Sequence, residues 1–295
     1  MPEASTHLNL SDTRGNGLGI GFFKVCVSLL GLRFCLVLVW LVAAFYALFD
    51  RKALAAATPY LRSRFPRAKS LRWHFYRLIV SHGQALLLAH WLRTGHKTVC
   101  RDIHPENRDA LVAAAKGSGF IMLMSHVGCW QATVPRMEGL DRNINLLVQE
   151  NLNGAIGQLL QGSRYRIINN SAPFGGLLEC MGTLERHEVL CVMGDRLPAD
   201  APSQLTLTLR GRTLRIPEAP WLLAARCHVP IFPVFTLMRR KPLGIDYLFA
   251  PPITLNYSLP HKPSQKDFAP ALAQYQKLLE DVIDEIPYQV FHYNS

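Results

Sequence analysis

The run Phe120-Ile121-Met122-Leu123-Met124 limits what this chain can fold into more than any other feature. Gly117 and Gly119 close it off on one side and Ser125-His126 on the other. A short, continuous apolar run with such borders reads as a strand covered on both faces, and strands of that kind belong to parallel sheets with helices over them. Further strand candidates lie at 144–148, 189–193, 205–209, 231–237 and 246–250, with helix candidates at 129–138, 153–163, 174–187, 218–228 and 268–285 between them. The alternation predicts an α/β fold with a largely parallel central sheet flanked by helices over residues 97–295. Ligands of such sheets sit beyond the carboxyl ends of the strands, so the residues that follow each strand carry the search for a site.

Ahead of this body the chain is different in character. Residues 1–19 read as a polar tail, and residues 20–50 as an apolar, membrane-associating helix interrupted by Lys24 and Arg33. Its longest uncharged run, 34–49, is shorter than the roughly 20 residues a bilayer crossing needs, which favours an interfacial or shallow anchor over a single pass. Residues 51–96 form a basic amphipathic helical segment containing Arg51, Lys52, Arg62, Arg64, Arg67, Lys69 and Arg72. Positive charge placed after the apolar segment puts the main body on the cytoplasmic side. His74, His82 and His90 recur along this segment at a spacing of about 12 Å, too long to share one metal ion.

The formal charge of +11 calls for an acidic partner. Basic residues beside an apolar stretch suit an anionic membrane surface, and no zinc-finger spacing, RNP-like strand or basic zipper points to nucleic acid. Cys26, Cys35, Cys100, Cys129, Cys180, Cys191 and Cys227 are odd in number, dispersed, and without a C-x-x-C pair, so they read as buried free thiols. No pattern calls for a cofactor or a structural metal.

Chemistry enters at Ser125-His126-Val127-Gly128-Cys129-Trp130-Gln131. His126 stands at a strand-to-helix junction, with Gly128 free to take the angles of a tight turn. An imidazole so placed can take a hydroxyl proton while that oxygen attacks a thioester carbonyl, then return it to the departing thiol. With His126 in the turn before the helix, Gln131 can swing back toward the ring. A hydrolase built on Cys129 and His126 is a further reading, set back by the short separation of the two residues.

This segment resembles the first motif of the lysophospholipid acyltransferase superfamily, especially the branch of the bacterial lipid A late acyltransferases, in which an acidic residue follows the His after four positions. Val192-Met193-Gly194-Asp195-Arg196 and Val229-Pro230-Ile231-Phe232-Pro233-Val234 are similar to two later motifs, and the ending Pro287-Tyr288-Gln289-Val290-Phe291-His292-Tyr293 is similar as well. The resemblance implies an acyltransferase domain working at the cytoplasmic face of a bacterial-type inner membrane. Its donor would be an acyl thioester of acyl carrier protein or coenzyme A, its acceptor a lipid hydroxyl or amine, and His126 the general base. Gly128, Glu150, Gly194, Asp195 and Arg196 are then expected around the substrate. Arg196 suits a phosphate or carboxylate, because a guanidinium forms paired hydrogen bonds with such groups. Arg164, Arg166, Arg210, Arg212 and Arg215 would add positive charge for coenzyme A phosphates or an acidic carrier.

One departure matters: the acidic position is Gln131. Its carbonyl oxygen can accept a hydrogen bond from the ring, but it cannot stabilise an imidazolium as a carboxylate does. The consequence is a slower enzyme, a substitute carboxylate (Glu138 or Glu150), or a relative that binds lipid or acyl carrier protein without catalysis.

Overall fold

The computed structural model describes residues 17–137, 139–148, 164–169, 176–197, 203–258, 260 and 263–291. The chain divides into two compact units, one through His96 and the other from Lys97 to Tyr293.

In the first unit, α1 (Gly17–Phe49), α2 (Arg51–Arg64) and α3 (Arg72–Arg93) follow one another. Gly31 leaves helical geometry at φ 76°, so α1 is two helices joined at a kink. Cys35, Val39 and Ala43 are buried, and Leu29, Phe34, Val37, Leu41, Phe45 and Leu48 are exposed at helical spacing. The buried side meets α3 closely: a Cβ on Gly83 would lie 2.8 Å from Val39. The Tyr76 hydroxyl donates to the Trp40 carbonyl at 3.1 Å. Leu29–Phe49, 21 residues, is long and apolar enough to cross a membrane, a longer stretch than the uncharged run alone suggests, because it takes in Arg33.

The second unit holds β1 (Val99–Ile103), α4 (Pro105–Lys116), β2 (Phe120–Met124), β3 (Ile144–Val148), β4 (Tyr165–Asn169), α5 (Leu177–Glu185), β5 (Val189–Met193), β6 (Gln204–Leu209), β7 (Arg212–Pro217), α6 (Ala219–Arg226), β8 (Ile231–Arg240), β9 (Leu243–Phe249) and α7 (Ala269–Glu285). Seven strands form one sheet in the order β1-β9-β8-β2-β5-β3-β4. Every neighbouring pair is parallel except β8 with β9. The fold is therefore α/β with a mostly parallel central sheet and an apolar N-terminal helix. All five residues of β2 are buried, as its apolar sequence requires at the middle of a two-sided sheet.

Departures from the sequence expectation have local causes. The edge strands β1 and β4 carry largely exposed or half-exposed residues and so lack the apolar run that marks the interior strands. The expected strand at 205–209 forms, but in a separate antiparallel pair, β6–β7, closed by Arg210 (φ 50°) and Gly211 (φ 77°). Left-handed angles at both turn positions give the hairpin turn whose twist suits the flanking strands. The main-chain N–H groups of Thr206 and Thr208 in β6 and of Arg210 in the turn after it are met by the side chains of Gln265, Gln276 and Glu280, which protects that edge from foreign pairing. In place of a helix over 129–138 there are two short 3₁₀ turns, Trp130–Ala132 and Val134–Met137, since Pro135 offers no N–H to a helix. The helix expected at 153–163 lies outside the described residues. All seven cysteines are free, but Cys100 is exposed and Cys227 only partly covered, so the expectation of burial fails for those two.

Candidate active site

Strands β2 and β5 are parallel neighbours with Met124 opposite Met193. Two residues further along each strand come His126 and Asp195, so the register delivers them side by side beyond the carboxyl ends. The Nδ1 of His126 lies 2.9 Å from one Asp195 oxygen, and the His126 main-chain N–H donates to the other at 2.6 Å. Asp195 is fully buried, and the imidazole keeps 18 % of its surface exposed. A carboxylate only accepts, so Nδ1 carries a proton, and in the neutral ring Nε2 is then the nitrogen with the free lone pair. Nε2 has no hydrogen-bond partner among the described residues. The Trp130 ring meets the imidazole edge-on, 5.5 Å between centroids.

The turn carrying His126 is tightly specified. Gly128 has φ 65°, and a Cβ there would stand 2.0 Å from the Thr236 carbonyl oxygen, so only glycine fits. At Gly194, just past the end of β5, a Cβ would fall 2.5 Å from the Leu123 side chain, which would have to shift to admit it. Gly128 thus shapes the turn, and Gly194 leaves room for Leu123. Behind the ring, the Ser125 hydroxyl pairs with Tyr275 of α7 at 2.9 Å, both groups buried. Burial and the nearby Asp195 charge push the Tyr275 hydroxyl far above its ordinary value.

Gln131 departs from expectation. Its carbonyl oxygen is buried and has no hydrogen-bond partner, so it does not hold the imidazole. The ring is held by Asp195, a residue expected at the substrate. Glu138 and Glu150, named above as substitutes, lie outside the described residues. Arg196 is half-buried and donates to the Phe291 carbonyl at 3.1 Å. Of the other arginines, Arg164 pairs with Asp141 and Arg210 with Asp284, which ties them into surface ion pairs. Cys129 is buried and its thiol is pushed up to about 12 by burial, so it is a neutral thiol and a poor nucleophile. That removes the basis for a Cys129/His126 hydrolase.

Sequence reasoning missed Gln289. Its side-chain amide receives the Met238 N–H and donates to the Met238 carbonyl, each at 2.9 Å, while its own carbonyl accepts from Gly128 N–H at 2.7 Å. Only the likeness of the segment 287–293 to a known ending marked it in the sequence.

No family model matches the sequence, and no curated protein matches it. Among solved structures, the chain is similar to the 1-acyl-sn-glycerophosphate (LPA) acyltransferase PlsC from Thermotoga maritima. The identity is 12 %, the TM-score 0.39, and the match covers 83 % of this chain and 96 % of that one.

Proposed function

We propose that this chain transfers a fatty acyl group from an acyl thioester, carried by acyl carrier protein or coenzyme A, to a hydroxyl or amine of a lipid-type acceptor, with His126 as general base. The observation that carries the reading is the buried Asp195 held against Nδ1 of a partly exposed imidazole. The acceptor's proton passes to Nε2 as its oxygen or nitrogen bonds to the thioester carbonyl carbon. The tetrahedral adduct then collapses, the carbon–sulfur bond breaks, and the thiolate takes the proton from Nε2. Asp195 stabilises the imidazolium between these events, the part a carboxylate plays in a catalytic triad. Arg196, next to Asp195, suits a phosphate or carboxylate on either substrate.

The reading joins the motif resemblance to this pair. A lipid acceptor accords with the exposed apolar side of α1 and the exposed Arg51, Lys52, Arg67, Lys69 and Arg72, which suit an anionic bilayer at its cytoplasmic face. The competing reading, a lipid- or carrier-binding relative without catalysis, takes its motive from Gln131. Asp195 weakens that motive by supplying a carboxylate at the ring.

The test is transfer of labelled acyl groups from both carriers to a panel of lipid acceptors in detergent. Product from the wild type that falls at least about 10³-fold in His126→Ala supports the base assignment. Product that persists in the variant removes it. Folded wild-type protein that binds carrier or lipid but transfers nothing favours the non-catalytic reading.

A further inference from the structure

We infer that Gln289 is a positioning residue for the His126 turn, acting through the strap formed by residues 289–291; this rests on the reading of His126 as the base. The turn at 126–128 has one short bond of its own, from Val127 N–H to the Ser125 carbonyl. Further bonds to it come from outside. Phe291 N–H donates to the His126 carbonyl at 2.8 Å, Gly128 N–H donates to the Gln289 carbonyl at 2.7 Å, and Val127 pairs antiparallel with Val290. Residues 289–291 thus lie beside the turn as a short added strand.

The strap in turn is fastened by Gln289. Its carboxamide pairs with both main-chain groups of Met238 in β8, imitating a peptide unit of a neighbouring strand. At the far end, Phe291 accepts from Arg196, the residue after Asp195. One strap therefore bonds to the turn that carries the imidazole and to the loop that carries its carboxylate. Only a side chain with an N–H and an oxygen at the same reach satisfies Met238, so Glu, Met and Leu each lose at least one bond. Gln289 does not touch the ring; it fixes where the ring stands. A displacement of about 1 Å in a reacting group costs on the order of 10²-fold in rate.

Two variants test this. Gln289→Met keeps the buried volume but forfeits both bonds to Met238, and Phe291→Pro deletes the N–H that meets the His126 carbonyl. The readouts are kcat and KM for the acyl donor, thermal unfolding, and the downfield NMR resonance of the His126 ring proton bonded to Asp195. Expected are a kcat fall of roughly ten- to hundredfold with KM little changed, a folded protein, and a weakened or lost ring-proton resonance. Unchanged kcat with the resonance intact overturns the inference, as does a fall that only tracks lost folded protein. If the wild type transfers nothing, the proposed activity fails, yet the resonance still decides positioning: its loss in folded Gln289→Met upholds the role and its survival overturns it.

Discussion

The imidazole of His126 is held by a carboxylate 69 positions further along the chain. Both residues were legible in the sequence as site candidates, but their pairing was not. It follows from β2 and β5 being neighbours, and β3 and β4 intervene between them in the chain. Residue spacing carries no trace of that adjacency, so Asp195 read as a substrate group and Gln131 as the ring's partner. The orphaned Gln131 oxygen gives the correction a consequence. A carboxylate installed there would bury one oxygen without a donor, which costs about 1–3 kcal/mol or more for a charged group. Gln131→Glu is therefore expected to lower the unfolding temperature and leave turnover no higher than wild type, measured by calorimetry and steady-state assay on one preparation.

At the level of elements, legibility followed burial. The interior strands β2, β3 and β5 are apolar throughout their length and stand where their sequences place them. The edges β1 and β4 face solvent, carry Arg101, Asp102 and Arg166, and gave no signal. The start of β5 is tied to β3 by Glu188, which accepts from Asn143 at 2.7 Å and from Asn145 at 3.0 Å. Burial pushes the Glu188 carboxyl up, but the hydrogen bonds from Asn143, Arg186 and Asn145 outweigh it and hold the group below its ordinary 4.5. A group depressed on folding contributes stability that is complete above the unfolded value and is lost as pH falls through the lower folded one. Thermal unfolding of Glu188→Gln should therefore differ from wild type most above about pH 4.5 and converge with it in more acidic buffer. A constant difference down to pH 2 would assign the residue a packing role instead.

On the scale of the molecule, a helical unit with an exposed apolar side precedes an α/β unit whose site opens beyond its strand ends. The apolar N-terminal helix and the parallel sheet were both readable, because each depends on long-range repetition of residue type. The β6–β7 pair and the strap at 289–291 were not, since they hang on a two-residue turn and on one glutamine amide. The measurement that bears most directly on this account is thioester turnover with acceptor-bearing anionic vesicles, comparing wild type with Asp195→Asn. An amide at 195 keeps the shape but removes the charge, and the corresponding change in a serine protease costs about 10⁴-fold in kcat. The account predicts wild-type turnover that falls by roughly 10³- to 10⁴-fold in folded Asp195→Asn; turnover undiminished in that variant would contradict it.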